Sequence, residues 1–260
     1  MKQNRSTRRL VYTSVLLALL ALVCVTAATV AWMTIADQTR VRSMRMDITS
    51  GSNLRFDLDA HKSFDEYVKT LSFYQIRQRI RQEKGFDPAE APLTPVTTTD
   101  CITFTVEDGS LAKTEYYMEF TLHFMATADM VVHLTSANSA GGSDGTRVSS
   151  DVSALPQAMR ISFSAEQTSV YDPGMGDNSE QRADFRIFGL PDGDAVTYHA
   201  GNALFSLKKD VDKPVIVRIW LEGTDEACTD ALRRADYKIQ LRFVGTDEYG
   251  NLLTDQRAAP

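Results

Sequence analysis

Four histidines, His61, His123, His133 and His199, and three cysteines, Cys24, Cys101 and Cys228, are the side chains in these 260 residues best suited to metal or nucleophilic chemistry. A transition-metal site draws such residues together at close spacing, as with two histidines one helical turn apart around a glutamate. None of the four histidines has that spacing. The nearest approach to a ligand set is His123 and His133, which would meet across a hairpin beside Glu119; exposed sheet residues are the plainer reading of all three. No Gly-x-Ser-x-Gly elbow is present, and Gly142-Ser143-Asp144-Gly145 lies in a polar run without the strand and helix that strain a nucleophilic serine into place. Asp172, Asp177, Asp192 and Asp194 lack the periodicity of a calcium loop. No catalytic residue, metal ligand or cofactor site is therefore assigned. Cys101 and Cys228 adjoin strand-like segments, and in an oxidising compartment they form either one disulfide or two buried thiols. Trp220 shares a strand face with Arg218 and Glu222; it is a binding aromatic if exposed and a core residue if a loop covers it.

The elements that would position these residues are mostly strands. Met44, Met46 and Ile48, then Leu54, Phe56 and Leu58, alternate with polar neighbours across Ser50-Gly51-Ser52-Asn53, which predicts a half-buried hairpin. Alternation recurs at Ile102, Phe104 and Val106, at Met118, Phe120, Leu122 and Phe124, at Val215, Val217, Ile219 and Leu221, and at Ile239, Leu241 and Phe243. Residues 130–134 follow the second of these after a short turn and complete an expected hairpin. Ser63 and Glu66 form a capping box ahead of a helical stripe through Phe64, Tyr67, Val68 and Leu71; the stripe shifts face near Ser72 and Gly85 can close it. Arg77, Arg79, Arg81 and Lys84 crowd its end and read as a solvated helix terminus rather than an anion site. A short helix is expected over residues 225–235, and residues 137–153 and 172–182 read as long polar loops. Many short one-sided strands separated by Gly, Pro and Asp turns point to a mostly β fold: two antiparallel sheets in a jelly-roll-like sandwich, with a helical insertion.

The N-terminus is of another kind. Lys2, Arg5, Arg8 and Arg9 are four of the chain's 28 basic residues, none of its 34 acidic residues precedes Asp37, and residues 10–36 carry no charge. As a helix that run would be about 40 Å long, against a hydrocarbon core of about 30 Å. Its length favours an uncleaved transmembrane anchor, whereas the small residues ending at Ala31 favour signal cleavage after Ala31. The basic flank stays cytoplasmic in either case, so residues 1–9 are expected inside, 10–36 in the membrane and 37–260 outside as an extracellular β domain. Cys24 lies within the apolar run as a small apolar residue. The acidic remainder argues against nucleic acid as a partner, because that affinity rests on Lys and Arg neutralising phosphates.

Ala31-Trp32-Met33-Thr34, directly after the apolar run, resembles the junction of TasA/camelysin-type exported proteins of Gram-positive bacteria. That resemblance implies cleavage after Ala31 and a jelly-roll subunit that assembles into biofilm-matrix fibres by donating an N-terminal strand; no zinc motif is present to carry over the metalloprotease activity described for camelysins. Ile219-Trp220-Leu221-Glu222-Gly223-Thr224-Asp225, with Cys228 and with Leu93-Thr94-Pro95-Val96-Thr97, is similar to single-pass surface proteins of clostridia, which share the anchor-plus-β-domain plan. The expected function is that of a non-enzymatic cell-surface or extracellular-matrix structural protein, associating with the membrane, with itself or with other surface proteins. The alternative is a membrane-anchored ligand- or glycan-binding domain built around Trp220.

Overall fold

The structure, a computed structural model, describes residues 15–18, 40–48, 53–135, 145–191, 196–232 and 235–253. Fourteen strands form two sheets among these residues, with few helices. The first sheet runs β12 (Ala203–Leu207), β6 (Met130–Leu134), β14 (Asp236–Thr246), β1 (Arg40–Ile48), β3 (Thr70–Ser72), with β7 (Arg147–Ser150) also paired to β14. The second runs β10 (Ser179–Gln181), β11 (Phe185–Phe188), β9 (Thr168–Tyr171), β8 (Met159–Ser164), β13 (Lys213–Glu222), β5 (Met118–Ala126), β2 (Leu54–Asp57), with β4 (Pro95–Val96) on the end of β13.

The alternating residues face a shared core. Phe56, Phe124 and Phe163 of the second sheet meet Phe243 of the first at ring separations of 5.6, 5.3 and 5.8 Å. Val215, Val217, Ile219 and Leu221 are buried in it, as are Ile239, Leu241 and Phe243. These residues are apolar at every second position because side chains alternate between the faces of a strand and one face of each sheet packs into the shared core.

Both expected hairpins are absent. β1 lies in the first sheet and β2 in the second, and β5 and β6 are likewise divided. Alternation reports which face of a strand is dry but not which strand lies beside it, so a chain that crosses from sheet to sheet carries the same pattern as a hairpin. The sheets are also mixed rather than antiparallel, since β1 runs parallel to β14, β4 to β13 and β9 to β11.

The helical insertion lies between β3 and β4. The first half of the expected stripe is a 3-10 turn, Phe64–Glu66, with the Ser63–Glu66 capping box, followed by β3. Helix α1 (Phe73–Lys84) then starts on a second capping box, Ser72 with Gln75, and stops at Gly85, whose φ of 79° suits glycine. Ile76 and Ile80 face the core. Its cations are paired: Arg77 with Asp87, Arg79 with Asp59, Lys84 with Glu119 at 2.5 Å. Residues 102–106 form no strand, because the Asp100 carboxylate accepts the Ile102 and Thr103 N–H groups and Cys101 turns the chain at φ 58°. Of the expected helix over 225–235 the described residues hold one 3-10 turn, Asp230–Leu232, and the second half of the expected loop 137–153 contains β7, with the short helix α2 at Leu155–Ala158 following it.

No helix among the described residues is long and apolar enough to cross a membrane. Of the segment 10–36 only residues 15–18 are described; they are helical, with Val15, Leu16 and Leu17 exposed. Lys2, Arg5, Arg8, Arg9, Cys24 and the cleavage position Ala31 lie outside the described residues.

His133, on β6, is 2% exposed, in place of the open sheet position expected for it. Its Nδ1–H donates to the Asn202 backbone and side-chain oxygens at 3.1 and 3.0 Å, and burial lowers its pKa to about 4. The folded-state value lies below the ordinary 6.5, so the unfolded chain binds the extra proton between them. The stabilisation is therefore complete above pH 6.5 and lost as the pH falls toward 4. The expected loss is about 2 kcal/mol by pH 5 and about 3 kcal/mol by pH 4. Urea unfolding at pH 7 and pH 5 should show this drop in the wild type and little of it in His133→Gln; equal slopes in the two proteins would refute the assignment.

Candidate functional site

The most elaborate constellation lies at the C-terminal end of β13. Alternation sends Ile219 and Leu221 into the main core and Arg218, Trp220 and Glu222 to the outer side. There a second, smaller apolar cluster forms from Val96, Cys101, Phe104, Val170, Phe185, Ile187 and Trp220. Phe104 meets the Trp220 ring edge-on at 5.3 Å and stacks on Tyr117 at 4.3 Å. Trp220 is thus 2% exposed, and its indole N–H donates to Glu222 Oε2 at 3.1 Å. A covering loop was one of its two expected fates. It offers no open ring for a sugar to stack on, which removes the exposed aromatic from the ligand-binding alternative.

Two clefts flank this point and share Thr97 and Thr224. The larger, 660 Å³, has walls from residues 93–97, 105–109, 221, 223–224, 228–230 and 232; Leu93, Pro95, Val106, Leu221 and Leu232 make it largely apolar. The smaller, 390 Å³, is polar and holds Arg160, Asp172, Asp225 and Arg182. Arg160 stands opposite Trp220 on β8 and is 8% exposed. Its guanidinium reaches Asp225 at 2.5 Å and Asp172 at 3.0 Å, and donates to the Gln157 and Met159 carbonyls. Burial raises the Asp172 pKa, against the pull of Arg160 downward. Two carboxylates on one buried cation make a rigid strut between β8, β9 and the turn after β13, because each charge is costly to leave alone.

The cysteines are both free. Cys101 packs with Trp220 in the outer cluster and Cys228 against the main core, and the disulfide reading is not realised. Burial pushes their thiols up to about 12 and about 11, which keeps both protonated and unreactive at neutral pH.

His123, His133 and Glu119, the nearest approach to a ligand set in the sequence, are dispersed. His123 is on β5 in one sheet and His133 on β6 in the other, while Glu119 is held between Lys84 and Arg218, the latter at 2.6 Å. Among the described residues no group of three His, Cys, Asp or Glu side chains is placed to hold a metal ion. His123 instead joins a polar network that spacing did not reveal. Its Nδ1 lies 2.9 Å from Asp212, Tyr67 donates to Asp212 at 2.7 Å, and His61 lies 3.2 Å from Asp57. Only the His61–Asp57 pair is local in sequence; the Tyr67–Asp212 bond spans 145 residues and leaves no local signal. The Tyr67 hydroxyl, pushed up to about 12 by burial and then by Asp212, is committed as a donor.

Neither constellation brings an activated nucleophile to a base among the described residues. The arrangement suits binding and bracing: one apolar recess, one charged recess, and a buried indole between them. Comparison with protein-family models, with curated proteins and with solved structures yields no match.

Proposed function

We propose that this chain is a cell-surface or extracellular-matrix structural protein whose jelly-roll-like β-sandwich acts through protein contacts, in its polymeric form as a fibre subunit. Residues 1–9 stay inside, residues 10–36 serve as signal or anchor, and the domain works outside. The exposed apolar turn at Val15, Leu16 and Leu17 supports a membrane-facing segment, and the basic residues before it support the orientation.

The observation that carries the proposal is the position of β1. This strand follows the apolar segment directly, yet it occupies the interior of a sheet, parallel to β14 on one edge and antiparallel to β3 on the other. Val41, Met44 and Met46 are buried at 3, 3 and 0%. A strand directly after the apolar segment that fills an interior slot is a separable piece, and the slot can take the same strand from another copy. The likeness of residues 31–34 to TasA/camelysin-type junctions supports the same reading.

The chain starting at Trp32, concentrated across a range of pH and salt and imaged by electron microscopy, should form fibres. Persistently monomeric particles under all conditions would overturn the polymeric form.

A further inference from the structure

We propose that residues 59–72 form a latched strap that governs the release of β1, with the Tyr67 hydroxyl on Asp212 as its catch. This rests on the strand-donation reading and names the contact that would control it.

β1 has two neighbours, and only one of them can step aside. β14 is itself held by β6 and β7, whereas β3 is the last strand of its sheet among the described residues. β3 meets β1 through Arg45 with Ser72, Met46 with Leu71 and Asp47 with Thr70, and the Thr70 hydroxyl donates to the Asp47 carboxylate at 2.8 Å. Once those pairs part, β1 becomes an edge strand, and an edge is where one strand can replace another.

The strap leads into β3 from the other sheet. It follows β2, and Val68 exchanges two backbone hydrogen bonds of 3.0 Å with Phe56 on that strand. From Asp59 to Ser72, every side chain except Tyr67 and Leu71 is exposed or half-buried. A segment that buries so little apolar surface opens by itself unless something ties it down.

Tyr67 is the tie. It is 2% exposed, accepts the His61 N–H at 3.0 Å and donates to Asp212 at 2.7 Å. Asp212 stands in the turn between β12 of the first sheet and β13 of the second, braced by His123 at 2.9 Å, and His61 is held to Asp57 at 3.2 Å. The Arg55 guanidinium adds long bonds of 3.3 and 3.5 Å to the Phe64 and Tyr67 carbonyls, and an ion pair to Asp65, whose side chain is 86% exposed. The catch therefore fastens the strap to a turn 145 residues away that belongs to neither β1 nor β3. A hydroxyl on a carboxylate is among the stronger hydrogen bonds, so this one contact can set how often the strap lifts.

The test follows hydrogen exchange and assembly of the full chain in mild detergent. Wild type is compared with Tyr67→Phe and with a locked variant, Asp47→Cys with Thr70→Cys, whose disulfide would pin β3 to β1. In Tyr67→Phe the amides of residues 59–72 and of Arg45, Met46 and Asp47 should exchange about tenfold faster, from the loss of one bond to a charged group, while those of β13 keep their wild-type rates. Light scattering should show assembly starting about tenfold sooner. The oxidised locked variant should stay unassembled and begin to assemble on reduction. Exchange that is unchanged in Tyr67→Phe, or faster throughout the domain, would overturn the catch. So would a freed strap that leaves the assembly rate unchanged, or assembly of the oxidised variant at the wild-type rate; both leave the fibre reading standing. A freed strap with no assembly in any variant would overturn both.

Discussion

Arg160→Leu should lower the stability of the fold by about 3–5 kcal/mol, the usual result of removing one partner from a buried ionic group. The guanidinium is bonded to both Asp172 and Asp225, and it also serves the Gln157 and Met159 carbonyls. Leucine would fill much of the space and leave two carboxylates and two carbonyls without that donor. The loss should be asymmetric. Asp172→Asn keeps the Arg160–Asp225 pair and removes a carboxylate whose ionisation burial already opposes, so it should cost far less. In Arg160→Leu the stranded Asp172 gains from protonation, so the variant's deficit should shrink between pH 7 and pH 5. Urea unfolding of both variants at the two pH values is the measurement. A loss below about 1 kcal/mol in Arg160→Leu, typical of exposed ion pairs, would show that the strut is not buried in solution.

Phe243→Ala should be of similar size, about 3–5 kcal/mol. Phe243 is fully buried on β14 and touches the rings of Phe56, Phe124 and Phe163 on the opposite sheet. It is the point at which three strands of one sheet bear on the other, so alanine leaves a cavity that no single neighbour can fill. Phe243→Leu, which retains most of the volume, should recover more than half of the loss. Thermal unfolding of the two variants would decide this, and equal midpoints for alanine and wild type would mean that the sheets do not meet through this ring.

Much of the fold is legible because burial in a strand is a local matter. The alternation at 118–124, 215–221 and 239–243 gave the dry face of β5, β13 and β14 directly, and Gly85 marked the end of α1. Pairing was not legible. β1 and β2 look like a hairpin because the residues between them suit a turn, yet each strand finds its partners across the molecule, at 236–243 and at 123–126. The segment 102–106 has the strand pattern but loses its first two amides, Ile102 and Thr103, to Asp100 and keeps only isolated bridges at Thr105, a competition that hydropathy does not register. The clefts are less legible still. The larger one joins 93–109 to 221–232, and Arg160 meets Asp225 65 residues away, so no spacing within either segment announces them. His133 reads as a sheet histidine because its burial comes from Tyr198 and Asn202, more than 60 residues later.

The parallel seam between β1 and β14 also imposes an order in time. A polypeptide emerges N-terminus first, whether from a ribosome or across a membrane, and these two strands are about 200 residues apart. β1, β6 and β7 all take hydrogen bonds from β14, so three strands wait on the last one to arrive. A chain interrupted before Asp236 therefore has only the separate pairs β1–β3 and β6–β12, with nothing to join them into one sheet. β14 is thus the strand that turns these separate pairs into one sheet.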